Sequence, residues 1–77
     1  MEERLREIMA DVLNVDARSI YSDTSRVNNG AWDSLSHINL VVALEQEFGI
    51  SFDIDEIENM ISFENVVQLV ESKASAL

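Results

Sequence analysis

Asp33-Ser34-Leu35-Ser36-His37-Ile38-Asn39-Leu40-Val41-Val42-Ala43-Leu44-Glu45-Gln46-Glu47-Phe48-Gly49 is the stretch on which the fold turns. Asp33 is a strong N-cap residue and Gly49 suits a left-handed C-terminal cap, so the pair predicts a helix from Ser34 to Phe48. Stepping about 100° per residue separates its side chains into sectors. His37, Leu40, Val41, Leu44 and Phe48 share one side. Leu35, Ile38 and Val42 form a second apolar stripe away from it, and Ser36, Asn39, Gln46 and Glu47 fill the remainder together with Ala43. A helix apolar over more than half its girth needs cover on several sides and is therefore central.

The flanking segments supply that cover. Leu5, Ile8, Met9, Val12 and Leu13 recur at helical spacing and predict a first helix from Glu2 to Asn14, with Glu2 and Glu3 suiting its N-terminal dipole. Residues 15–33 show no sustained period but many turn formers, with room for one helical turn from Asp16 to Ile20. So long a connection in a small domain is expected to be ordered, pinned by Val15, Ile20, Val27 and Trp32. After Gly49, Asp53 and Glu56 fit a capping box for a short helix, Ile54 to Met60, with Ile57 and Met60 inward. Ser62 caps a last helix, Phe63 to Ala74, whose stripe is Phe63, Val66, Val67, Val70 and Ala74. The pattern is all-α: a four-helix bundle of three main helices and one short one, with a long first loop.

Seventy-seven residues allow one domain, residues 1–77, and no second core. The chain has 15 acidic and 5 basic side chains, a formal net charge of −10. That surplus repels phosphate backbones and anionic lipid, so neither nucleic acid nor membrane is an expected partner. The absence of Cys excludes disulfides and thiolate zinc sites. At 47% apolar, the chain is not of the disordered type. No apolar run approaches the roughly 18 residues of a membrane span, and Met-Glu-Glu-Arg does not read as a signal peptide. A monomer in the cytoplasm is the expectation. Self-repulsion predicts that stability rises between low and moderate NaCl; a midpoint of thermal unfolding that stays level or falls would contradict this.

Several chemistries fail on spacing. A calcium loop counted from Asp53 has Glu58 where Gly is required and Glu64 at its last ligand position, so half the pattern is met. Glu45, Glu47, Asp53, Asp55, Glu56 and Glu58 read as a solvated acidic face rather than a metal site. Ser34 and His37 lie one helical turn apart, but no oxyanion hole or second layer accompanies them, which argues against hydrolysis. His37 is left as a half-buried residue at the core's edge or a contact for whatever Ser34 carries. Ser34 itself is more informative. With Asp33 as the cap, its hydroxyl has no capping duty, and a helix N-terminus stabilises an attached phosphate. The stripe of Leu35, Ile38 and Val42 is open to three readings: core beneath the short helix, a partner patch, or one wall of an apolar slot.

The chain resembles the acyl carrier proteins along nearly its whole length, most specifically in Asp33-Ser34-Leu35 followed by Ile38, Leu40, Val41, Ala43, Leu44, Glu45, Glu47 and Phe48. The resemblance implies a carrier, not an enzyme, with 4′-phosphopantetheine attached covalently to Ser34 and flanked by Asp33 and Leu35. It implies a phosphopantetheinyl transferase as one partner. Acyl-loading, condensing and acyl-transfer enzymes with basic docking surfaces would be the others, meeting Leu35, Ile38, Val42, Glu45, Asp55 and Glu56. The missing Cys fits, since the thiol would belong to the prosthetic group. Ala31-Trp32 replaces the small residues common before the motif, Arg26 and Gly30 stand where Phe and Leu are usual, and Ser36 and Asn39 replace common acids. The Trp-Asp-Ser-Leu-x-His pattern is similar to stand-alone carriers of specialised pathways: fatty-acid-like, polyketide-like or aminoacyl. The reading outside the family is a small acidic helical adaptor without a prosthetic group.

Overall fold

The computed structural model describes residues 2–75, the side chain of Ser75 excepted. Four helices follow in order: α1 (Glu2–Leu13), α2 (Ser34–Phe48), α3 (Ile54–Glu58) and α4 (Phe63–Ser75), with a 3-10 turn at Ala17–Ser19 between the first two. Among the described residues, no helix is long and apolar enough to cross a membrane.

Helix α1 buries Leu5, Ile8, Met9, Ala10 and Leu13. It stops because Asn14 turns left-handed, at φ 57°, a conformation Asn tolerates better than most residues. The Asn14 N–H then reaches the Asp11 carbonyl at 3.3 Å and the Val15 N–H reaches Ala10 at 3.0 Å, satisfying carbonyls the helix end would orphan. The predicted helix thus ends one residue early, with Asn14 serving as its cap.

Helix α2 has the predicted bounds. Asp33 accepts the Ser36 N–H at 2.9 Å, and Gly49 sits at φ 64° with its N–H on Glu45 O. Nothing lies within 4 Å of the missing Cβ of Gly49, but its left-handed φ strains any L side chain placed there. Gly49→Ala is expected to cost about 1–2 kcal/mol in urea unfolding. Gly30 lacks positive φ and has nothing near its missing Cβ. Gly30→Ala should therefore stay within about 0.5 kcal/mol of the parent.

The first loop is ordered, but not quite by the residues the sequence suggests. Ile20 and Trp32 are buried and Val15 packs on the core, whereas Val27 is 91% exposed and pins nothing. Backbone pairing does that work instead. Ser25 and Ser62 form an isolated antiparallel bridge. Around it, Arg26 N–H donates to Ile61 O (2.9 Å), Phe63 N–H to Thr24 O (2.8 Å) and Glu64 N–H to Ser22 O (3.2 Å). These bonds also satisfy N–H groups at the start of α4, and the Ser62 hydroxyl takes the Asn65 N–H.

The expected capping box of α3 is complete, with Asp53 and Glu56 bonding each other's backbone. The helix is shorter than predicted and ends at Glu58. Met60 is nevertheless fully buried, and Ile57 is half-buried against the core. Helix α4 runs one residue further than predicted; Ala74, expected on its buried stripe, is half-exposed. One core joins all four helices around Trp32, Phe63, Leu5, Met9, Leu40 and Leu44. Arg4 of α1 pairs with Glu47 of α2, and Lys73 of α4 with Glu56 of α3 at 2.8 Å.

Candidate functional site

Ser34 is exposed at the first residue of α2. Its neighbour Asp33 takes the capping role, and the Ser36 N–H holds the Asp33 carboxyl below the ordinary carboxylate range. Asp33 therefore remains an anionic cap at neutral pH, and the Ser34 hydroxyl has no hydrogen-bond partner among the described residues. The sign of the pH dependence follows. A carboxyl whose folded value is lowered contributes stability above its unfolded value, about 3.9, and loses it as pH falls through the folded one. Asp33→Asn keeps an acceptor but removes the titration. Its unfolding midpoint is expected to fall less steeply than the parent's below about pH 4 in acid titrations followed by circular dichroism.

His37 is 4% exposed, so it is a core residue rather than a half-buried one. The Trp32 indole N–H donates to its Nδ1 at 3.0 Å. With Nδ1 an acceptor, the ring proton is on Nε2, which donates to the Ile57 carbonyl at 2.7 Å. Both nitrogens are committed. His37 consequently cannot take a proton from Ser34 or contact a group carried there, which removes the Ser–His pair as chemistry and one of the two roles open to this His. Trp32, 1% exposed, is what the sequence left without a partner. Its only signal was an indole N–H that, once buried, must be satisfied within the fold.

The second stripe of α2 is not core. Leu35, Ile38 and Val42 are 69%, 58% and 45% exposed, and Ile54 at the start of α3 is also open. Ile54 escaped the sequence reading because an apolar residue beside a cap looks like the first inward position. Of the acidic docking candidates Glu45, Asp55 and Glu56, Asp55 is exposed with no side-chain partner among the described residues. Glu45 Oε2 accepts the Phe52 N–H at 2.9 Å, and Glu56 accepts the Asp53 N–H at 3.0 Å while pairing with Lys73. Lys73, with help from the Asp53 N–H, holds Glu56 below the ordinary carboxylate range. No group of three or more His, Cys, Asp or Glu is arranged to hold a metal ion among the described residues.

Comparison with known proteins identifies the family. The family described as "phosphopantetheine attachment site" matches residues 3–71. The acyl carrier protein of Petrotoga mobilis is 35% identical over 71 residues, 92% of this chain and 84% of that relative. The acyl carrier protein of Thermosynechococcus vestitus is 31% identical over 96% of this chain and 91% of the relative.

The chain belongs to the acyl carrier protein family.

The fold agrees closely with that of a solved family member. A solution structure of holo acyl carrier protein from Geobacter metallireducens matches with a TM-score of 0.87 at 32% identity, covering 97% of this chain and 86% of that one. An acyl carrier protein is a carrier rather than a catalyst, and its prosthetic group is 4′-phosphopantetheine. It works with acyl-handling enzymes and with the transferase that installs the group. The residues present fit that group. An uncommitted hydroxyl stands at a helix N-terminus, where an attached phosphodiester is stabilised by the free N–H groups. When bound, the arm supplies the thiol that this Cys-free chain does not contain.

Proposed function

We propose that Ser34 is the residue that receives 4′-phosphopantetheine, and that the chain carries acyl intermediates as thioesters for a specialised fatty-acid-like or polyketide-like pathway. The observation that carries this reading is the division of labour at the start of α2. Asp33 holds the helix end, so the exposed Ser34 hydroxyl is available. In loading, Ser34 Oγ forms the bond to the phosphorus of coenzyme A that bears the pantetheine. The diphosphate bond breaks, adenosine 3′,5′-bisphosphate leaves, and the hydroxyl proton passes to a base of the transferase. The product sets a phosphodiester at the positive end of α2 without disturbing its cap. The tether then raises the local concentration of cargo at each partner.

Leu35, Ile38 and Val42 make the apolar part of the docking surface, since they remain exposed on α2. Asp55 provides open negative charge for basic enzyme surfaces, while Glu45 and Glu56 contribute field from positions they also hold for structural reasons. Residues 1–77 act as a single carrier domain and a monomer. A cytoplasmic setting follows from loading chemistry that draws on coenzyme A. Trp32 and His37, together with Ser36 and Asn39, favour a specialised role over housekeeping elongation. Incubation with a promiscuous phosphopantetheinyl transferase and coenzyme A, read by intact mass, tests the proposal. One added phosphopantetheine is expected. A chain that stays unmodified is an acidic helical adaptor instead.

A further inference from the structure

Of the chain's asparagines, Asn29 alone precedes a glycine. The pair lies in the first loop shortly before Ser34, with Asn29 half-buried and Gly30 exposed. The Asn29 N–H donates to Ser25 O at 3.1 Å, and its carbonyl accepts the Trp32 N–H at 3.1 Å. Its side-chain Oδ1 accepts the Ala31 N–H at 3.0 Å, which folds the carboxamide back along the chain over the Gly30 peptide. The Gly30 N–H, enclosed by that turn, has no acceptor among the described residues. Nothing lies within 4 Å of its missing Cβ.

This arrangement favours ring closure within the pair. An electrophilic Cγ is held beside a backbone nitrogen that no hydrogen bond engages and no side chain screens, so little orientational freedom remains to be lost. The Ala31 N–H polarises the carboxamide and faces the oxygen on which negative charge develops as the new bond forms, the task of an oxyanion donor.

We propose that Asn29 is a site of self-modification, converted through attack by the Gly30 nitrogen into a succinimide and then into aspartate and isoaspartate. The Gly30 amide proton passes to water and the N–Cγ bond forms. The Cγ–Nδ2 bond then breaks, and the amide nitrogen takes up a proton from water and leaves as ammonia. Water adds to one carbonyl of the imide and opens the ring. Opening at Cγ gives aspartate. Opening at the main-chain carbonyl gives isoaspartate, whose backbone runs through Cγ and is one methylene longer. That methylene enters the turn that the Trp32 N–H closes on Asn29 O, while Trp32 itself is fixed in the core at 1% exposure. The displaced segment leads directly into Asp33 and Ser34, so isoaspartate slows loading. This consequence rests on the carrier reading; the modification does not.

The test incubates the protein in warm, mildly alkaline buffer, native and unfolded in guanidinium chloride, and follows intact mass. Cleavage after Arg26 and before Asp33 isolates residues 27–32, whose fragment masses place the new acid at position 28 or 29. Methylation by an isoaspartyl methyltransferase separates isoaspartate from aspartate. The native protein is expected to gain a single amide-to-acid mass change, at position 29, at least as fast as the unfolded chain. Gly30→Ala, which leaves the fold intact, is expected to lose the conversion because a side chain then screens the nitrogen. Slower conversion in the native protein overturns the inference, since the loop would then protect the pair. So does an acid at Asn28, or conversion in Gly30→Ala at the parent's rate. Protein aged to isoaspartate is expected to take up phosphopantetheine more slowly than fresh protein of equal helical circular dichroism; equal rates overturn the link to Ser34. Failure of the carrier reading is distinct: neither fresh nor aged protein then loads, while the mass at position 29 still decides the modification.

Discussion

Ser34→Ala is expected to remain at its unmodified mass after exhaustive incubation with transferase and coenzyme A, while unfolding at the same urea concentration as the parent. The two halves of this result have separate causes. Loading needs an oxygen nucleophile at this position, and Ala has none, so the loss is complete rather than partial. Stability should change by less than about 0.5 kcal/mol, because an exposed side chain without a hydrogen-bond partner is being removed. Were Ser34 the cap, Ala would cost roughly 1 kcal/mol. Asp33→Ala is the matching control. It should lower the melting temperature and leave the hydroxyl in place. A mass shift that persists in Ser34→Ala would place the attachment at another residue, and a marked loss of stability would mean that Ser34 shares the capping role.

Trp32→Ala carries the largest expected effect on folding. Emptying a fully buried aromatic site typically costs about 3–5 kcal/mol, from lost transfer energy and the cavity left behind. The variant also strips His37 Nδ1 of its donor, adding the penalty of an unsatisfied buried acceptor. At about 0.05–0.15 kcal/mol per residue, a domain of this length has only some 4–12 kcal/mol in total. A third or more of that reserve would go, and at the lower end the protein would be largely unfolded at 25 °C. Urea titration followed by helical circular dichroism measures it. Trp32→Phe, which keeps most of the volume but not the N–H, should lie between the two. A Trp32→Ala protein within about 1 kcal/mol of the parent would show that the core closes over the gap.

The parts of this molecule legible in its sequence are those governed by local rules. Helix α2 was readable to the residue because Asp33 and Gly49 act through their own backbone neighbourhoods. The capping box of Asp53 and Glu56 was readable for the same reason. Helical period separated the two stripes of α2 but could not say which was covered, since that depends on where a five-residue α3 comes to rest. The pinning of the first loop was misread at Val27 because the Ser25–Ser62 bridge is made by backbone groups that leave no mark on side-chain pattern. His37 was placed on the right face, yet its burial rests on an indole five residues back and a carbonyl twenty residues on. Neither pairing has a sequence period. At the candidate site, the capping role of Asp33 and the uncommitted hydroxyl of Ser34 were legible in the sequence, whereas the commitment of Glu45 and Glu56 to Phe52 and Lys73 emerged only from the fold.

The separation of cap from hydroxyl at the start of α2 also makes the position a chemical handle. Because Asp33 alone holds the helix end and the chain has no Cys, Ser34→Cys would introduce a single exposed thiol without touching the fold. Alkylation of that sulfur could then fix an arm of any chosen length or chemistry at the proposed anchor point, bypassing both coenzyme A and the transferase.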